Sequence, residues 1–261
     1  MEKIKQALDK ARLERQQSGT QPSKDGAQPA SDVSSINNTR TQTVESSDER
    51  MRESRLLSSM EQGEYTDALK MLSTQVLQRM KENHWNSIAI TSPRYATGKT
   101  TVAINLGLSI AREVEYTVLV VDANLRHPNL HEYFGIKPQK GLSEFLTNEV
   151  ELSDILINLK RVDHFAILPA GMAHSASSEL LGSPKMCALV EELTSRYPKR
   201  IIIFDLPPIL ETADALSFLP CVDTALIVIK DDVTKEADLK SAVDMLSVTN
   251  VIGTVLNKSI Y

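Results

Sequence analysis

The chain has 261 residues, 41% of them hydrophobic, and a formal net charge of −5. That length suffices for one large α/β domain with an appendage. The acidic balance excludes a general basic surface for nucleic acid. No apolar run approaches membrane-spanning length or a signal-peptide core, so any membrane role needs a partner. The two cysteines, Cys187 and Cys221, lie in or beside apolar stretches. They read as reduced, buried thiols of a cytoplasmic protein, without support for a disulfide or a metal site.

In chain order, Met1–Gln17 reads as a charged helix with a thin apolar stripe of Ile4, Leu8 and Ala11, suited to docking a partner or to a solvated surface. Residues 18–48 are rich in Ser, Thr, Gln and Asn and read as a disordered tether. The third unit, residues 49–261, is the expected catalytic domain. It opens with Leu56, Leu57 and Met60, followed by a helical pattern through Tyr65, Leu69, Leu72, Val76, Leu77 and Met80.

The pattern then alternates. Strands are expected at 88–90, 117–121, 165–168, 201–204, 224–229 and 251–256. Helices are expected at 142–146, 152–159, 184–197, 213–219 and 235–246. Continuous apolar strands between helices predict an α/β fold with a mostly parallel sheet covered on both faces. Ligands of such sheets bind at the carboxyl ends of the strands.

One stretch organises the rest. The strand Ile88-Ala89-Ile90 leads into a loop, Ser92 to Gly98, and Lys99-Thr100-Thr101 opens a helix. Strand, loop, Gly-Lys-Thr and helix form a phosphate cradle, with backbone N–H groups and the positive helix end facing the anion. The cofactor-binding set is therefore Ser92, Ala96, Thr97, Gly98, Lys99, Thr100 and Thr101. Lys99 would reach the β/γ-phosphates of ATP and the Thr100 hydroxyl would bind Mg²⁺. Pro93 stands where the first glycine of the motif belongs.

Two acidic sites end later apolar runs. Asp205 follows Ile-Ile-Ile-Phe and suits a Mg²⁺ partner. Asp122 lies in Asp122-Ala-Asn124-Leu-Arg126 and suits either a metal ligand or a base toward an incoming hydroxyl. Arg126 would pair with phosphate or orient the carboxylate.

Together these motifs resemble the bacterial tyrosine autokinases of exopolysaccharide and capsule synthesis, of the type found in exosortase loci. Those belong to the P-loop branch shared with partitioning and division-site ATPases. Supporting matches include Asp205-Leu-Pro-Pro, Leu168-Pro-Ala-Gly171, Asp214-Ala215 and Gly253-Thr-Val-Leu-Asn257. The resemblance implies a P-loop fold, ATP and Mg²⁺ as cofactors, and tyrosine autophosphorylation controlling polymer assembly. It places Asn257 near the adenine. It also implies a membrane chain-length partner, a homo-oligomer, and a cytoplasmic chain peripheral to the inner membrane through that partner. The phosphoacceptor would be Tyr261.

Three departures accompany the resemblance. Asn124 replaces the second aspartate of the acidic box and cannot act as a base. The family's ring-forming Glu-x-x-Arg-x-x-Arg survives only as Asp67-x-x-Lys70-x-x-Ser73, and the tyrosine-rich tail shrinks to Tyr261. Arg94 stands where partitioning ATPases carry a lysine that crosses a dimer interface, and Tyr95 reads as a lid or packing residue. The alternatives are a partner-stimulated ATPase switch without tyrosine phosphorylation and a nucleotide-binding scaffold.

Overall fold

The computed structural model describes residues 42–57, 63–160, 162–197 and 199–259. The expected N-terminal helix, most of the tether and Tyr261 lie outside them.

The strands are β1 Gln42–Val44, β2 Ser87–Thr91, β3 Thr117–Asp122, β4 Ile157–Leu159, β5 Phe165–Leu168, β6 Arg200–Asp205, β7 Thr224–Lys230 and β8 Asn250–Asn257. They form one sheet in the order β1-β4-β5-β3-β6-β2-β7-β8. All neighbours pair parallel except β4 with β5. The α/β, mostly parallel sheet expected from the sequence is the fold observed.

Alternation along the buried strands sends side chains to two cores, because successive strand residues face opposite ways. Ile88, Ile90, Val118, Val120, Ile201 and Ile203 face one core. Ala89, Leu119, Val121, Ile202 and Phe204 face the other. The first core is closed by α1 Asp48–Glu53, α2 Glu64–Glu82 and α3 Lys99–Ile110. The second is covered by α4 Leu142–Leu146, α5 Leu152–Ile155, α6 Ser177–Leu181, α7 Pro184–Arg196, α8 Asp214–Phe218 and α9 Glu236–Met245. Among the described residues no helix is long and apolar enough to cross a membrane.

Three readings change. The tether was expected to run to residue 48, but Gln42–Val44 pair with β4 and Ser47 caps α1 by accepting from the Arg50 N–H. The expected helix over 152–159 stops at Ile155, and Ile157–Leu159 form an edge-side strand. Ile157-Asn158-Leu159 alternates with period two, whereas Leu152, Ile155, Leu156 and Leu159 mimic helical spacing. Finally, Cys187 on α7 and Cys221 in the 3-10 turn Leu219–Cys221 are joined in a disulfide, with Cα atoms 5.1 Å apart. The fold lays α7 against that turn, a contact that two cysteines 34 residues apart do not announce.

Candidate nucleotide site

The site grows from the carboxyl ends of the central strands. β2 lies between β6 and β7, and register sets Ile90 beside Asp205 and Asp122 beside Asp205. The loop after β2 is laced to the segment after β6. Leu206 N–H donates to the Ile90 carbonyl, Ile209 N–H to the Ser92 carbonyl, and the Thr91 hydroxyl to the Pro207 carbonyl at 2.8 Å. Ser92 spends its hydroxyl on the Arg94 carbonyl at 2.7 Å. Further along, Ala96 (φ 61°) and Gly98 (φ 86°) are left-handed. For Ala96 that conformation costs about 1–2 kcal/mol. Only glycine fits at 98, where a Cβ would stand 2.3 Å from the Asn257 amide nitrogen.

A cavity of about 540 Å³ opens against this loop. Tyr95 to Thr101 form one wall, Asn124, His127, Asn129 and Tyr133 another, and Lys258 closes it. Lys99 and Thr100, the first residues of α3, are both buried here. The Thr100 hydroxyl donates to Asp205 Oδ2 at 2.7 Å. Burial raises the Asp205 carboxyl above the usual carboxylate range, while the charge of Lys99 and the Thr100 hydroxyl pull it back.

Among the described residues five buried side-chain oxygens have no partner: Thr97 Oγ1, Asn124 Oδ1, Asn129 Oδ1, Asp205 Oδ1 and, in the segment after β6, Thr212 Oγ1. A buried oxygen without a donor carries a desolvation cost that a ligand removes. A carboxylate beside a hydroxyl is the donor type a hard divalent cation takes, so Thr100 and Asp205 fit Mg²⁺.

Asp122 is arranged differently. Its Oδ1 accepts from Asn124 N–H at 3.1 Å, and its Oδ2 accepts from the N–H groups of Asn129 and Leu130, each at 3.1 Å. Burial pushes its carboxyl up to about 7, the neighbouring Asp205 charge adds to this, and the three backbone donors oppose it. Asp122 therefore folds the wall that carries Asn124, His127 and Asn129; like Asp205, it stands behind the residues that line the cavity.

Arg126 points elsewhere. Its Nε lies 3.2 Å from both oxygens of Asp214 at the start of α8, and Ser177 Oγ on α6 donates to the same carboxylate at 2.7 Å. It buttresses the acidic box and does not line the cavity. Thr101 reaches the Tyr133 hydroxyl at 3.4 Å. Asn257 donates its amide to the Thr97 carbonyl at 2.8 Å, and Lys258, not Asn257, lines the cavity.

Arg94 is held in its own chain. Its guanidinium takes both oxygens of Asp238 on α9, at 2.7 and 2.9 Å, and Glu211 at 3.0 Å. Tyr95 meets His127 edge-on, centroids 6.2 Å apart, at the mouth of the cavity. The vestige of the ring motif is used internally. Asp67 pairs with Lys70 at 3.3 Å, and buried Ser73 bonds to Ser109 at 2.8 Å.

Four cavity residues were not read from the sequence: His127, Asn129, Tyr133 and Lys258. Lys258 follows Asn257 directly, and that adjacency was the one signal available. The others sit in or before a 3-10 turn, Leu130–Phe134, whose course depends on the Asp122 bonds.

Comparison with known proteins agrees with this geometry. Residues 85–260 match the family AAA_31, an AAA domain. The chain is 32% identical over 179 residues to the tyrosine-protein kinase named CapB of Staphylococcus aureus, covering 68% of this chain and 77% of that one. It spans only about a quarter of the length of several longer relatives, such as one of 26% and one of 24%. Among solved structures, the kinase domain of the Escherichia coli tyrosine kinase ETK superposes with a TM-score of 0.68 at 27% identity, over 75% of this chain and 78% of that one. The cell division ATPase MinD of Pyrococcus furiosus superposes with a TM-score of 0.54 at 26% identity, over 66% and 71%.

Proposed function

We propose, from the premise that this chain belongs to the bacterial tyrosine-protein kinase family of P-loop AAA-domain proteins, that it is an ATP-dependent tyrosine autokinase regulating exopolysaccharide polymerisation and export. The observation that carries this reading is the 2.7 Å hydrogen bond from cavity-lining Thr100 to Asp205 behind it, beside the buried Lys99. Phosphoryl transfer asks a protein mainly for positioning and charge neutralisation. Lys99 would meet the β/γ-phosphates, and the N–H groups of the loop around Thr97 to Thr101 would cradle them. Thr100 and Asp205 would hold Mg²⁺, which when bound neutralises charge on the phosphates. Asp122 and Arg126 serve from behind, as anchors of the opposite wall.

The wider setting is part of the same proposal. A membrane chain-length protein would present its cytoplasmic part to the kinase and keep it at the inner membrane, with residues 1–17 as docking helix and residues 18–41 as tether. Tyr261 would be the acceptor. The internal use of Asp67, Lys70 and Ser73 weighs against a ring built on that motif. The cis pairing of Arg94 weighs against the ATPase-switch reading, which needs that side chain free to cross a dimer.

The test is incubation of the protein with γ-labelled ATP and Mg²⁺, beside Lys99→Ala and Tyr261→Phe. Label on tyrosine that Lys99→Ala abolishes is the expected result, and its loss in Tyr261→Phe names the acceptor. Released phosphate without labelled protein, with and without a membrane partner, would overturn the kinase reading in favour of the switch.

A further inference from the structure

We infer that Asn257 and Lys258, at and just past the end of β8, are positioning residues that aim the phosphate-binding N–H groups of the loop by holding its carbonyls. The inference rests on the cavity being a nucleotide site and adds a device to it.

The argument begins with what the loop lacks. Phosphate loops turn their N–H groups inward by using glycine where the backbone is left-handed. Here one such position is Gly98, but the other is Ala96, at φ 61°. A residue with a Cβ stays there only when its surroundings over-determine it. Those surroundings are two consecutive residues, the last of β8 and the one that follows it. Lys258 Nζ donates to the Ala96 carbonyl at 3.0 Å, and Asn257 Nδ2 donates to the Thr97 carbonyl at 2.8 Å.

Peptide planarity converts these bonds into aim. In a trans peptide the C=O of one residue and the N–H of the next point in opposite directions. Drawing the Ala96 carbonyl toward Lys258 turns the Thr97 N–H the other way. Drawing the Thr97 carbonyl toward Asn257 does the same for the Gly98 N–H. Thr97 and Gly98 both line the cavity.

The clamp has its own footing. The Asn257 carbonyl accepts from Asp231 N–H at 3.0 Å, and Ser259 Oγ donates to Asp231 Oδ2 at 2.9 Å. Residues 257–259 thus bridge the loop and the turn after β7. By linkage, whatever shifts the end of β8 shifts nucleotide affinity, and nucleotide resists that shift by the same factor.

The test is titration of the full chain with Mg-ADP by calorimetry, for the wild type, Lys258→Met, Ala96→Gly and the double variant, with melting of each apo protein. Lys258→Met should weaken Mg-ADP binding about tenfold, the value of one charge-assisted bond, with the apo melting temperature unchanged because Lys258 is exposed. Ala96→Gly in the same chain should recover most of that loss, because glycine holds the left-handed turn unaided. A Lys258→Met protein that binds like the wild type overturns the inference. So does a loss that Ala96→Gly fails to relieve, which would make Lys258 a simple phosphate contact. Absence of binding by the wild type would overturn the nucleotide reading itself, and the clamp with it.

Discussion

Asp122 and Asp205 end neighbouring parallel strands, in register, and both are fully buried. Yet they are opposites in use. Asp122 accepts from three backbone N–H groups. Asp205 receives one hydroxyl and leaves Oδ1 without a partner. The difference separates a carboxylate whose oxygens are taken up by backbone from one that leaves an oxygen open. The same type of residue at the same sheet level serves the fold in one case, and in the function proposed above it serves the chemistry in the other.

The largest expected effect lies on the ligand side. Asp205→Asn should lower autophosphorylation on the order of a hundredfold. It should leave the apo melting temperature level or higher, because burial already disfavours the Asp205 charge. A large loss of stability would place Asp205 with Asp122 as a structural group. Conversely, Asp122→Ala should cost about 2–4 kcal/mol in denaturant melts, because three donors lose their acceptor. A variant as stable as the wild type would remove the distinction.

A smaller effect is the pH dependence of the apo protein. The ordinary carboxylate value is 3.8, and Asp122 is pushed up to about 7. Below both values the folded and unfolded chains are protonated alike. Between them the unfolded chain releases a proton that the folded chain keeps, so stability falls as pH rises and then levels off above about 7. Asp205, also raised, acts in the same direction. The melting temperature should therefore be higher at pH 5 than at pH 8, with a shallower slope in Asp122→Asn. An equal slope would assign the effect elsewhere.

The smallest effect belongs to the exposed clamp on the front of the loop. Arg94→Ala should leave the melting temperature nearly unchanged, because exposed ion pairs contribute little and salt screens them. Its signature is kinetic instead. The variant should release nucleotide faster than the wild type at low salt and at the same rate at high salt, measured by stopped-flow displacement.

Much of this was legible before any coordinates. Buried parallel strands are continuous apolar runs, so Thr117–Val121 and Ile201–Phe204 stood out, and the carboxylate closing each run marked the ligand-binding edge. The Gly98-Lys99-Thr100 junction located the loop. Beyond Asn124 the other wall was not legible, because Asn129 and the 3-10 turn that carries Tyr133 follow backbone bonds to Asp122, and such bonds leave no side-chain pattern. Arg126 was identified, but its partner Asp214 lies 88 residues away, beyond any local spacing. The edge strand Gln42–Val44 escaped notice because backbone pairing does not require apolar residues. The resemblance put Asn257 at the base of the nucleotide. The structure shows its amide on the loop, a contact that depends on how β8 ends.

That edge strand has a mechanical consequence. β1 and β8 are opposite borders of the sheet, and seven interstrand steps of about 4.8 Å separate them by about 34 Å. The segment before Gln42 thus joins the domain at the border farthest from the clamp on the phosphate loop. A tug on that segment arrives first at a three-residue ladder between β1 and β4, and next along the chain at Ser47, whose N–H donates to the Phe134 carbonyl at 2.9 Å. A pull at the far border is thus relayed through α1 to the turn that carries cavity-lining Tyr133, which gives that border a lever on the nucleotide site.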